Sequence, residues 1–296
     1  MSVSKNKTGL HVALAFDEKF AVPAYATMRS ICLMTTRRKE LVFHLCHPGL
    51  GKKSLGILEK LTEEFGAKIV HYDLGANNDY QHFAAILPHT KHISAVMYAR
   101  MMLDQIVPSD ILRLVYVDCD LLIRAPIEEL ILSELGGLPV GAIKEPHSLR
   151  FAHGSDAVQN HDLFDSADPF FNSGVMVMDL DLWRKNSSLQ KLREAEKSGA
   201  LARLANDQQV LNFLFKNNWK QLDGAWNMFG VSRAIEGLDP KIVHYTGLNK
   251  PWNMFSGLPF ARVYRHVMTN DLFYSYMRQR WAQKFKWLGR KLTFRG

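Results

Sequence analysis

Short apolar runs alternate with longer stretches of helical period through the first 120 residues. HVALAF at 11–16 and LVFHLC at 41–46 are of strand length and apolar almost throughout, as in a strand covered on both faces. Between them, residues 24–33 predict a helix after Pro23. Residues 53–65 predict an amphipathic helix with Leu55, Leu58 and Leu61 inward, ended by Gly66. Residues 68–72 predict a third strand, and 111–117 a fourth. Ser94 can cap a helix running to Ile106. Strands alternating with helices predict a mostly parallel α/β sheet, which binds ligands at the carboxyl ends of its strands. The second half is more mixed: strands at 140–143, 174–178 and 241–245, helices at 189–202 and 207–215, and a polar, His-rich loop at 146–168 that reads as a lid.

Composition narrows the class. The 296 residues are 47% hydrophobic and 22% charged, which excludes intrinsic disorder and collagen-like repeats. The net charge of +8 is local: 272–296 holds seven Lys or Arg and no acid, and without it the balance is about +1. That argues against a nucleic-acid partner. Three cysteines, Cys32, Cys46 and Cys119, form no CxxC pair, so neither a disulfide framework nor a zinc site is expected, and a reducing compartment fits. No apolar run approaches the ~20 residues of a spanning helix, and 1–9 lacks a signal-peptide core. The expected location is the cytoplasm, unless the basic tail takes the chain to a membrane surface.

The strongest chemical signal is Val115-Tyr116-Val117-Asp118-Cys119-Asp120, an apolar strand ending in Asp-x-Asp. Two carboxylates at a strand end can share a divalent cation; the bland alternative is a solvated turn. Far downstream, KIVHYTGLNKPW at 241–252 sets His244 after a strand and before Gly247, Lys250 and Trp252. Gly247 allows close backbone approach, and Lys250 offers a charge for phosphate. One His with two Asp suits Mn²⁺ better than Ca²⁺. Cys119 is read as core, GLGK at 49–52 as a helix start, and His89 with His92 as no metal pair. Asp207 reads as a helix N-cap, Arg100 as an ordinary surface ion pair and FNSGV as a tight turn, unless the motifs act together.

Together they do form a pattern. Ala15-Phe16-Asp17, HISAVMYARMML at 92–103, YVDCDLLI at 116–123, FNSGVMVMDL at 171–180, NDQQVLN at 206–212 and HYTGLNKPW at 244–252 follow one another in order. The chain thereby resembles glycosyltransferase family eight, and within it the bacterial lipopolysaccharide and lipooligosaccharide galactosyl- and glucosyltransferases. The resemblance implies a GT-A fold with one Rossmann-like nucleotide-binding domain over 1–258 and a helical, basic segment over 259–296. It implies retaining transfer of galactose or glucose from a UDP-sugar to a lipid-linked core oligosaccharide, with Mn²⁺, or Mg²⁺ in its place. Asp118, Asp120 and His244 would be the metal ligands, Ala15 and Asp17 would meet uridine, and Asp118 the ribose. Arg100 would reach the donor; Asn172, Asp207 and Gln208 would line the reaction centre; Gly247 and Lys250 would hold the diphosphate. Glu145 stands where the family commonly has Asp. Asp207 and Gln208 are the candidates for a double displacement, and a same-face mechanism, which needs neither, is favoured. Alternatives are another acceptor (capsule, protein or a glycogenin-like self-glucosylated chain) and a non-catalytic nucleotide-sugar module.

From Tyr274, Met277, Trp281, Phe285, Leu288 and Leu292 recur at helical steps among basic residues. Such a helix can lie on an anionic membrane surface, pack on the catalytic domain or bind nucleic acid, and the first is favoured.

Overall fold

The computed structural model describes residues 9–88, 94–145, 160–164, 168–230 and 232–293, with side chains described as far as 282. Its strands are β1 (Leu10–Ala15), β2 (Leu41–His47), β3 (Lys68–Asp73), β4 (Arg113–Val117), β5 (Leu121–Ile123), β6 (Val140–Lys144), β7 (Phe171–Asp179), β8 (Lys220–Gln221) and β9 (Ile242–His244). The helices are α1 (Ala21–Met34), α2 (Lys52–Phe65), α3 (Asn78–Ile86), α4 (Leu103–Ile106), α5 (Ile127–Ile131), α6 (Leu180–Lys185), α7 (Ser188–Lys197), α8 (Asp207–Leu214), α9 (Ala261–Met268) and α10 (Asn270–Thr293).

Seven strands form one sheet in the order β3-β2-β1-β4-β7-β6-β8. All run parallel except β7, which is antiparallel to both β4 and β6. This is the mixed, mostly parallel sheet of a GT-A fold. Alternating side chains divide between two cores. Val12 and Leu14 of β1, Val115 and Val117 of β4, and Val175 and Val177 of β7 pack with α1 and α2. Ala13, Leu114, Tyr116, Met176 and Met178 pack on the other face with α3, α6 and α8. Both faces are covered, which is why these strands read as continuous apolar runs.

Local chemistry accounts for several departures from expectation. The inward stripe of α2 is Ile57, Leu58 and Leu61, with Leu55 only half-buried; Gly66 ends the helix in the left-handed region, φ +70. The segment after Ser94 is a 3₁₀ helix over Ala95–Met102 before the single turn of α4, and Ser94 makes no side-chain cap. So long a 3₁₀ run is uncommon, and it is buried on nearly every side. The helix expected at 189–202 stops at Lys197, because Gly199 turns the chain at φ +76; a 3₁₀ turn follows over Leu201–Arg203. GLGK does start a helix, with Gly51 as the N-cap of α2. The three cysteines are free and buried.

The candidate lid lies mostly outside the described residues, as do His89 and His92. The basic tail is helical, and its first turns belong to the core: Phe273 and Met277 pack with Tyr264, Val267 and Met268 against the α1 side of the sheet. The hydrophobic core therefore continues past residue 258. Among the described residues, no helix is long and apolar enough to cross a membrane.

Candidate active site

The central sheet supplies the first carboxylate. Beyond the end of β4, the Asp118 backbone N–H still donates to the Gly174 carbonyl at 2.8 Å. On its other side β7 slips register against β6: Ala142 faces Met176, yet Ile143 faces Asn172. Ser173, Gly174 and Val175 thus bulge at the site. A Cβ on Gly174 would lie 2.3 Å from His244 Cε1 and 2.7 Å from Asp118 Oδ2. Only glycine lets the strand pass this close.

A two-stranded ribbon brings the other two groups. β5 pairs antiparallel with β9, placing Leu121 opposite His244. The Tyr245 N–H donates to the Asp120 carbonyl at 3.0 Å, and the His244 N–H to the Met228 carbonyl at 2.8 Å. His244 Nε2 then lies 3.3 Å from Asp120 Oδ1 and 3.8 Å from Asp118 Oδ2. One ligand atom from each of Asp118, Asp120 and His244 lies within 4.8 Å of the others, the only such group of three among the described residues. Two carboxylate oxygens and an imidazole nitrogen converging this way suit a borderline divalent ion.

Fixed charges surround the cluster. Arg100, 4% exposed, pairs with Asp118 at 2.7 Å and with Asp207 at 3.2 Å, and its guanidinium lies over the Tyr116 ring. Burial opposes its charge, but the two carboxylates outweigh burial and drive its pKa up. It is no surface ion pair. The Tyr116 hydroxyl donates to Asp118 Oδ1 at 3.0 Å. Asp207 is 2% exposed, and its carboxyl is pushed up by burial against the pull of Arg100. Lys250 Nζ donates to Asp120 Oδ2 at 2.6 Å and to the Tyr245 carbonyl at 2.7 Å. Burial resists the ionisation of Asp120, but His244 and Lys250 prevail and hold its carboxyl well below the usual range.

Helix α8 repairs the bulge. Its cap is Asn206, whose side chain accepts from the Gln209 N–H; Asp207 sits one residue inside and is not the cap. Gln208 Oε1 accepts from the Ser173 N–H at 3.1 Å, and Asn212 bonds both the N–H and the carbonyl of Phe171. Backbone groups that β6 leaves unpaired are thereby satisfied. Asn172 reaches Glu145 at 3.0 Å on one side and Asn227 at 2.8 Å on the other, and Asn227 reaches His244 Nδ1 at 2.8 Å.

A cavity at the carboxyl ends of β1 and β4 is lined by Ala15, Asp17, Phe20, Arg100, Asp118 and Asp120, among others. Asp17 also caps a 3₁₀ turn over Glu18–Phe20. Gly247 lies in the loop after β9 at φ +82. The structure thus unites Asp118, Asp120, His244, Lys250, Arg100, Asp207, Gln208, Asn172 and Glu145 in one bonded network. Ala15 and Asp17 line its cavity. Asn227, Ser173 and Tyr116 are members that sequence reading missed. No spacing marks Asn227; only the pairing of Met228 with Val243 brings it beside β9.

The profile of Glycosyl transferase family 8 matches residues 11–255. Glycosyltransferase GlyF of Streptococcus pneumoniae serotype 4 is 25% identical over 83% of the chain, which spans 58% of that protein. The lipopolysaccharide 1,2-glucosyltransferase of Escherichia coli is 24% identical over 87% of the chain and 77% of its own length. The galactosyltransferase LgtC, crystallised with donor and acceptor sugar analogues, superposes with a TM-score of 0.73 at 21% identity, covering 88% of this chain and 95% of that one. That last likeness is one of fold. With a family profile spanning both the Asp-x-Asp strand and the His244 ribbon, the chain belongs to glycosyl transferase family 8.

Proposed function

We propose that this protein transfers galactose or glucose, with retention, from a UDP-sugar to a lipid-linked oligosaccharide of the lipopolysaccharide core. The observation that carries the reading is the convergence of Asp118, Asp120 and His244, with Lys250 on the same cluster. Asp118, Asp120 and His244 would hold the ion, Mn²⁺ by donor chemistry. When bound, it supplies Lewis-acid stabilisation of a leaving diphosphate. Lys250 adds a fixed positive charge where that negative charge develops. The cavity at Ala15 and Asp17 is the candidate nucleotide seat, and Asn172, Asp207 and Gln208 border the candidate sugar seat.

Same-face transfer suits these residues better than double displacement. Asp207 is 2% exposed and bound to Arg100, a poor position for a nucleophile, and Gln208 Oε1 already accepts from Ser173. The anomeric carbon–phosphate oxygen bond breaks, a bond to the acceptor hydroxyl forms on the same face, and the hydroxyl proton passes to the leaving diphosphate. Half-exposed Met254 and Trp281, with Phe255 at 92% exposure, surround Arg280 beside the basic tail. This surface supports docking on an anionic membrane at its inner face, where a lipid-linked acceptor is met. The test is UDP release and hexose transfer with UDP-galactose and UDP-glucose, with and without Mn²⁺. Turnover must vanish in Asp118→Ala and Asp120→Ala; turnover retained in either removes the assignment.

A further inference from the structure

Asn227 is 1% exposed, and it ends a chain of side chains running from Glu145 to the imidazole of His244. The chain has a direction that hydrogen-bond chemistry fixes. Asn172 lies between Gly174 and Glu145. The Gly174 backbone N–H can only donate, and it meets one Asn172 amide atom at 3.0 Å. A carboxyl oxygen of Glu145 meets the other at 3.0 Å, on the side that the Gly174 donor leaves to Nδ2. Asn172 must therefore turn Oδ1 to Gly174 and Nδ2 to Glu145. The same Oδ1 faces Asn227 at 2.8 Å, so Asn227 must present Nδ2 there and Oδ1 to His244. An acceptor at 2.8 Å from His244 Nδ1 requires the proton on Nδ1. In the neutral ring this leaves the lone pair on Nε2, the nitrogen that lies 3.3 Å from Asp120 and 3.8 Å from Asp118.

We infer that Asn227 is a positioning residue that fixes the Nδ1–H tautomer of His244 and so presents Nε2 as a ready metal ligand. The Gly174 N–H sets the polarity of the relay, and Asn172 and Asn227 transmit it. The inference rests on the metal reading above for its purpose, though the tautomer itself does not. Partners of this kind orient metal-binding imidazoles, and their loss lowers metal affinity about 10- to 100-fold.

The experiment compares the wild type with Asn227→Leu and Asn227→Asp. Nitrogen-resolved histidine NMR is recorded on metal-free protein, raised in pH until the His244 ring is neutral, and Mn²⁺ is then titrated by electron paramagnetic resonance. The wild type should carry its proton on Nδ1. Asn227→Leu should move it wholly or partly to Nε2 and weaken Mn²⁺ binding about 10- to 100-fold. Asn227→Asp keeps an acceptor toward Nδ1 while setting a carboxylate against Asn172 Oδ1. It should keep the tautomer and most of the affinity while losing stability, an outcome that a merely structural role does not give. A wild-type ring protonated on Nε2, or unchanged affinity in Asn227→Leu, overturns the inference. A wild type that shows the Nδ1 proton but binds no Mn²⁺ supports the relay and contradicts the metal reading instead.

Discussion

The two carboxylates of Asp-x-Asp stand two residues apart in the chain and in opposite surroundings. Asp118 is held by the sheet: Arg100 and Tyr116 bind its side chain, and Arg100 passes on to buried Asp207. Asp120 is held from the ribbon: His244 at the end of β9 and Lys250 in the loop beyond it reach it from over 120 residues away. The first half is a buried charge network fixed by the core. The second joins segments far apart in the sequence, and both halves border the cavity. Damage at Arg100 should appear first as lost stability, and damage at either carboxylate as lost ion binding and turnover.

The sharpest way to break this contrast is Arg100→Met. It strands Asp118 and Asp207 without a countercharge and should cost about 3–5 kcal/mol in urea unfolding. Asp120→Ala should lower turnover by at least ~10²–10³ while costing about 1–2 kcal/mol of stability. Equal stability losses in the two would abolish the distinction. A third probe lies away from both halves. His44, bonded to His11 and Tyr72 across β1–β3, is depressed by burial to about 4. The unfolded chain therefore takes up the proton first on acidification. His44 contributes stability in full above ~6.5, and up to about 3 kcal/mol is lost as pH falls toward 4. His47 and His71, also lowered by burial, add in the same direction. Denaturation across pH 4–7 should be steep in the wild type, flatter in His44→Gln, and unchanged in slope by Asp120→Ala.

Gly174→Ala joins the halves, because its Cβ would collide with His244 and Asp118 together. Turnover should fall about 10²-fold, with about 1–3 kcal/mol of overpacking seen by thermal melting. The smallest effect belongs to the tail. Removing residues 283–296 leaves Phe273 and Met277 in the core, so turnover on a water-soluble acceptor should hold. Recovery with anionic vesicles should drop; equal recovery would count against a part for residues 283–296 in membrane binding.

The sheet was legible because burial on both faces writes uninterrupted apolar runs. Asp118, Asp120 and His244 were legible because each follows such a run. The 3₁₀ helix was not: residues 95–102 have helical period, and the tighter winding comes from burial among neighbouring elements that no local pattern records. Asp207 reads as a cap from its place before an apolar stretch, but Asn206 takes the cap and frees Asp207 for Arg100. The ribbon was half visible. β9 is an apolar run, whereas β5 is three residues directly after Asp120 and was not read as a strand. Asn227 left no mark, since its meaning comes from a partner in another strand.

The account stands on one ion held by Asp118, Asp120 and His244. The most direct measurement is anomalous diffraction at the manganese edge from crystals soaked with Mn²⁺ and UDP. The expected result is a single peak within coordinating distance of an oxygen of each aspartate and Nε2 of His244. A peak seated elsewhere, or none at this cluster, would contradict it.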